Sequence, residues 1–99
     1  PILLTQGFIG SDARGRTTTL GKEGSDYTGA ILAASLKAQS LTIWKDVPGI
    51  MNADPKVFQE ARQLKELSYK IMAAMSFYGA QVVHPKTIYP LALQNIPLR

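Results

Sequence analysis

Residues 17–28 read TTTLGKEGSDYT, that is Thr17-Thr18-Thr19-Leu20-Gly21-Lys22-Glu23-Gly24-Ser25-Asp26-Tyr27-Thr28. Three β-branched residues run into a glycine-bounded turn. Ser25 then opens a helical spacing that puts Tyr27, Ala30, Ile31, Ala34 and Ala38 on one face. Ser25 is the expected N-cap, since its hydroxyl can accept from a free backbone N–H, and Asp26 in the first turn complements the helix dipole. Glycines let the backbone approach a ligand, while free N–H groups at a helix start beside Lys22 favour anionic oxygens. The chemistry of this stretch is anion binding. It is not a Walker loop, because the G-x-x-x-x-G-K-[ST] order is absent.

Upstream, Ile2-Leu3-Leu4 reads as a buried strand, and Gly7, Gly10 and Gly15 with Ser11 and Asp12 mark an irregular loop. Downstream, Leu41-Thr42-Ile43-Trp44 with Val47 is short, apolar and β-rich, as expected of a strand buried between helix layers. Pro48-Gly49 ends it, and a loop passes through Asn52-Ala53-Asp54-Pro55. Leu64, Leu67, Ile71, Met72 and Met75 predict a second helix that closes near Gly79. His84-Pro85 breaks the chain again. A third helix is expected to begin near Pro90, because proline in a helix interior costs about 3 kcal/mol. Strand, helix, strand, helix, helix, strand is the order of an α/β protein with a largely parallel sheet covered on both faces. Trp44, Met72 and Met75 read as core, and His84 as a turn histidine.

With 99 residues and 45% hydrophobic content, the chain can close one core at most. It opens on Pro1 and ends on Ile96-Pro97-Leu98-Arg99, so it is expected to be a piece of a longer polypeptide. No apolar run approaches the roughly 18 residues of a membrane helix. The absence of cysteine removes disulfides and thiolate metal sites, and fits a cytoplasmic protein. The net charge of +4 could suit a polyanion, but the eleven Lys and Arg are scattered, with no block longer than Arg14-Gly15-Arg16. Neither nucleic acid nor a membrane is the expected partner.

Residues 17–28 match a T-T-T-L-G-R-x-G-S-D-Y-[ST] run, with Lys22 in place of Arg. Further ordered landmarks are Ile43-Trp44 with Asp46-Val47-Pro48-Gly49, then Asp54-Pro55, then Phe77-Tyr78 before Gly79-Ala80, and His84-Pro85 with Thr87. On these residues the chain resembles the aspartokinases. The resemblance implies an amino acid kinase fold, a three-layer α/β/α sandwich with a mostly parallel sheet. Residues 1–99 would be the C-terminal, nucleotide-side part of that domain. The N-terminal lobe, with the family's catalytic lysine, and the regulatory ACT domains would lie outside the chain, so the isolated piece is expected to be inactive.

The implied reaction is phosphorylation of the L-aspartate side-chain carboxylate by ATP with Mg²⁺, in lysine, threonine and methionine biosynthesis. Carried over, Lys22, Ser25 and Asp26 would bind L-aspartate, with Asp26 also the catalytic candidate, facing the substrate ammonium or organising the catalytic lysine. Lys22 gives up the bidentate fork of the family's Arg. Lys45, Asp46, Met51, Lys56 and Gln81 would line the ATP site. Lys45, Met51 and Gln81 depart from residues often found there, and Ile71 and Ala74 replace two frequent glutamates. No protein metal ligand is expected, and the full-length protein is expected to be a homo-oligomer. Alternatives are the kinase part of a bifunctional aspartokinase and homoserine dehydrogenase, or a non-catalytic nucleotide-binding or regulatory module.

Overall fold

Consecutive β-branched threonines favour a pleated backbone, and Thr17–Thr19 accordingly forms a strand, β2, in a computed structural model that describes residues 1–80 and 83–99. It pairs antiparallel with β1, Ile9–Ser11, in the register Ile9 to Thr19, Gly10 to Thr18 and Ser11 to Thr17. The stretch expected as an irregular loop is therefore a hairpin. Asp12 closes it: one carboxylate oxygen accepts from the backbone N–H of Arg14 and of Arg16, each at 2.9 Å, and the other pairs with the Arg16 guanidinium at 2.7 Å. Residues 2–4, expected as a buried strand, form none, and Ile2 and Leu4 are each 98% exposed. A strand buried on both faces needs neighbours on both edges, and none lies beside it among the described residues.

The hairpin runs into α1, Gly24–Ser35, whose buried face is Ala30 and Ala33. Those small side chains let α1 approach α3, Pro85–Leu93, closely, so that Leu91 and Ile96 pack against the two alanines. α2, Tyr69–Phe77, adds a second cluster in which Met72 meets Val83 and Ile88. Tyr69 touches both clusters, and its hydroxyl donates to the Ile96 carbonyl.

The second helix starts later than the Leu64–Leu67 spacing suggested. Ser68 caps it by accepting from the Ile71 N–H, while Leu64 N–H donates to the Ile50 carbonyl at 2.8 Å in a separate pairing of residues 50–52 with 62–64. It ends as expected at Gly79, where a positive φ of 100° lets the Ala80 N–H reach the Met75 carbonyl.

The third helix corrects the sequence reading in the other direction. It begins at Pro85 rather than near Pro90, because proline at the first helical position loses only an N–H that no carbonyl there needs. Pro90 sits inside it and leaves the Lys86 carbonyl without its usual helical donor.

The strand expected at residues 41–44 is reduced to one parallel bridge, Leu41 to Leu98, with Ile43 N–H donating to the Arg99 carbonyl at 2.9 Å. Trp44 is 92% exposed rather than core, because pairing stops before it. Among the described residues, then, the regular sheet is a two-stranded antiparallel ribbon. No helix among them is long and apolar enough to cross a membrane.

Leu91 is fully buried where α1, α3 and Ile96 meet. Leu91→Ala is expected to destabilise the protein carrying this chain by about 2–5 kcal/mol, the lost transfer energy plus a residual cavity. Denaturant unfolding checks this, and a loss well under about 1 kcal/mol would mean that α1 and α3 do not meet there.

Candidate functional site

The 21–24 turn owes its shape to two glycines. Gly21 has a φ of 77°, and its carbonyl accepts from the Gly24 N–H at 3.0 Å. Gly24 is buried so tightly that a Cβ there would lie 2.8 Å from the Phe8 ring and 2.9 Å from Leu20 Cβ. The residue before α1 is Glu23, not the expected Ser25, and it stands in the left-handed region with φ 55°. Its side chain makes no capping bond to the helix. Ser25 falls one residue inside the helix and is exposed, so its hydroxyl is not used as a cap.

The Glu23 carboxylate is used elsewhere. One oxygen accepts from the His84 N–H at 2.7 Å, and the other lies 3.4 Å from Lys45 Nζ. Lys45 Nζ also lies 2.9 Å from Asp26 Oδ2, and the Asp26 side chain is only 14% exposed. Two acidic groups thus flank one ammonium at the first turn of α1. Partial burial acts to lower the Lys45 pKa. The hydrogen bond and charge of Asp26, followed by those of Glu23, outweigh it, so the ammonium titrates above its ordinary value.

A second tie runs the opposite way between the same two segments. Lys86, in the first turn of α3, donates from Nζ to the Leu20 carbonyl at 2.6 Å, with its ammonium 5.6 Å from the centre of the Tyr27 ring. His84 is the turn residue anticipated: it is the N-cap of α3, with Nδ1 accepting from the Lys86 N–H at 3.2 Å.

The structure therefore brings together Asp26 and Lys45, one from each of the two expected ligand sets, and keeps Lys22 and Ser25 on the same turn, both exposed. Lys22 borders a hollow of about 320 Å³ that Glu23, Ser76, Gly79 and His84 also line. Asp46 and Lys56 are exposed. The Lys56 N–H donates to Asp54 in a turn, and Met51 is bridged to Gln63. Among the described residues no hydrogen bond or ion pair joins Asp46, Met51 or Lys56 to the Asp26 cluster. Gln81 lies outside the described residues.

A larger cleft of about 850 Å³ opens between residues 42–50 and α2. Trp44, Val47, Ile50, Leu67 and Met72 make its lining largely apolar, and it shares only Lys45 with the polar cluster. Sequence reasoning missed Glu23 and Lys86. Their partners lie 61 and 66 residues away along the chain, so no local pattern announces them.

The site thus joins a glycine turn at a helix start, where backbone N–H groups are free, to a largely buried carboxylate paired with lysine. The sequence pattern of the amino acid kinase family matches residues 1–99, and the chain belongs to that family. It is 48% identical over 97 residues to lysine-sensitive aspartokinase 3 of Escherichia coli, a match covering 98% of this chain and 22% of that protein. It is 45% identical over 97 residues to a chloroplastic bifunctional aspartokinase/homoserine dehydrogenase 2 of Arabidopsis thaliana, covering 98% of this chain and 11% of that one. The crystal structure of E. coli aspartokinase III with aspartate and ADP superposes with a TM-score of 0.87 at 49% identity, over 94% of this chain and 21% of that one. The chain thus spans about a fifth of the E. coli relative's length.

The raised Lys45 pKa has a sign that can be tested. A folded-state value above the unfolded one stabilises the fold below about pH 10.5, and that stabilisation is lost as pH rises through the folded value. Unfolding midpoints measured from pH 9 to 11.5 should therefore fall less steeply in Lys45→Met than in the wild type. Parallel curves would show that the pair contributes nothing.

Proposed function

We propose that this chain supplies the substrate-side turn and part of the nucleotide side of an aspartate kinase, within the three-layer amino acid kinase fold. The reaction is ATP plus L-aspartate giving 4-phospho-L-aspartate plus ADP. The carrying observation is the largely buried Asp26 carboxylate at the first turn of α1, ion-paired with Lys45 behind the glycine turn. An E. coli relative of 49% identity was crystallised with aspartate and ADP, which supports the same ligands here.

In this reading a side-chain oxygen of L-aspartate attacks the γ-phosphorus of ATP. The bond from that phosphorus to the β-phosphate oxygen breaks, and ADP leaves with the electron pair. Little proton chemistry is required, so positioning and charge carry the catalysis. Lys22 and Ser25, exposed on the turn, would meet the α-carboxylate of L-aspartate, and Asp26 its ammonium or a catalytic lysine. Lys45 would stand between the two substrates, its ammonium drawn toward Asp26. Asp46, Met51, Lys56 and Gln81 would contact the nucleotide.

Among the described residues no group of three or more acidic or histidine side chains gathers to hold a metal. Mg²⁺ would be held chiefly by phosphate oxygens and water, which is usual for this ion, and would offset phosphate charge. The stretch is shared by a relative named for aspartokinase alone and one named for both activities, which supports the kinase reaction as the one it serves. A cytoplasmic homo-oligomer completes the proposal.

The test is aspartate-dependent ADP formation by the protein carrying this chain. Asp26→Ala is expected to lower kcat on the order of 10²-fold, the scale of misplacing reacting groups by about 1 Å, while ATP affinity by calorimetry changes little. A wild type without ADP formation would sink the kinase reading in favour of a non-catalytic nucleotide-binding module. Near-normal turnover per folded molecule in the variant would remove Asp26 from the site.

A further inference from the structure

Glu23 occupies a backbone conformation that suits glycine. Its φ of 55° lies in the left-handed region, where a residue with a Cβ is strained, and Gly21 and Gly24 bracket the Lys22-Glu23 pair. Its carboxylate gives nothing to the helix it precedes. Instead it spans two distant segments, accepting from the His84 N–H at 2.7 Å and lying 3.4 Å from Lys45 Nζ, while its side chain is only 21% exposed. A strained residue whose side chain is fully engaged away from its own helix is held there by what the side chain does.

Lys45 lies between two carboxylates, with Asp26 at 2.9 Å. Without Glu23 the ammonium would lose one of its two carboxylate contacts, and with it part of what sets its position against Asp26. The corner at His84 would also lose the acceptor of its N–H. We propose that Glu23 is a positioning residue. In this role it sets the Lys45 ammonium against Asp26 and holds the His84 corner to the glycine turn, so that the nucleotide side and the aspartate side keep a fixed spacing. The inference rests on the aspartate kinase reading.

Glu23→Gly is the informative variant, because it relieves the backbone strain and removes the carboxylate together. A purely structural role predicts normal kcat per folded molecule, with any change confined to stability. The positioning role predicts a kcat per folded molecule lowered by about tenfold or more, whichever way the unfolding midpoint moves, since a shift of reacting groups by about 1 Å is worth on the order of 10²-fold. Glu23→Gln should fall between, because its amide oxygen still accepts from the His84 N–H but carries no charge for Lys45.

A double-mutant cycle with Lys45→Met completes the test. If Glu23 acts through Lys45, its removal costs several-fold less in the Lys45→Met background than in the wild type. The idea is overturned if Glu23→Gly keeps kcat and both KM values within about twofold of an active wild type, or if the two effects simply multiply. A wild type that forms no ADP from aspartate and ATP removes the underlying reading, and the positioning role goes with it.

Discussion

The arrangement depends on a reciprocal tie between the 21–24 turn and the start of α3. From the turn, Glu23 accepts the His84 N–H; from α3, Lys86 donates to the Leu20 carbonyl. Each bond has a charged partner, and such bonds are roughly twice as strong as neutral ones. Both are partly buried, where competition from water is reduced. Because they attach at different residues of each segment, together they restrict both the approach and the rotation of the two segments. The close packing of Ala30 and Ala33 against Leu91 supplies the apolar base beneath them.

The tie also explains how an acidic residue can be accommodated on a turn whose backbone N–H groups favour anions. Glu23 and Asp26 put two negative charges beside backbone N–H groups that would otherwise draw in a phosphate or a carboxylate. Lys45, and the raised proton affinity that the two carboxylates give it, keeps that local charge from being strongly negative. In the proposed site an anion would be met on the exposed side of the turn, where Lys22 stands, while the inner side stays balanced by the Lys45–Asp26 pair.

How much of this could be read from the chain follows from the range of each interaction. The glycine turn, the helix after it and the closure at Gly79 were legible, because propensity and capping act within a few residues, whereas the β1–β2 hairpin was not foreseen. The start of α3 was misread because the cost of Pro90 was weighed above the benefit of Pro85 at a first helical position. Strands at 2–4 and 41–44 were expected from apolar runs, yet an apolar run becomes a strand only if an edge is offered to it; Leu41 found one in Leu98 and Trp44 did not. Asp26 and Lys45 were both singled out, but for different ligands. Their pairing is a tertiary fact that spacing along the chain cannot carry.

The same long-range bonds bear on the order in which the molecule assembles. Hairpin and helices can form from neighbours in sequence, within microseconds. The contacts of Glu23 with His84 and of Lys86 with Leu20 close loops of 61 and 66 residues, whose entropy must be lost before either bond returns anything. Packing of Ala30 against Leu91 closes a loop of similar length, so the polar cluster and the meeting of α1 with α3 come together, after the local elements. A brief separation of α3 from the turn would break both ties without unfolding either helix, leaving the Glu23 carboxylate and the Lys86 ammonium to water.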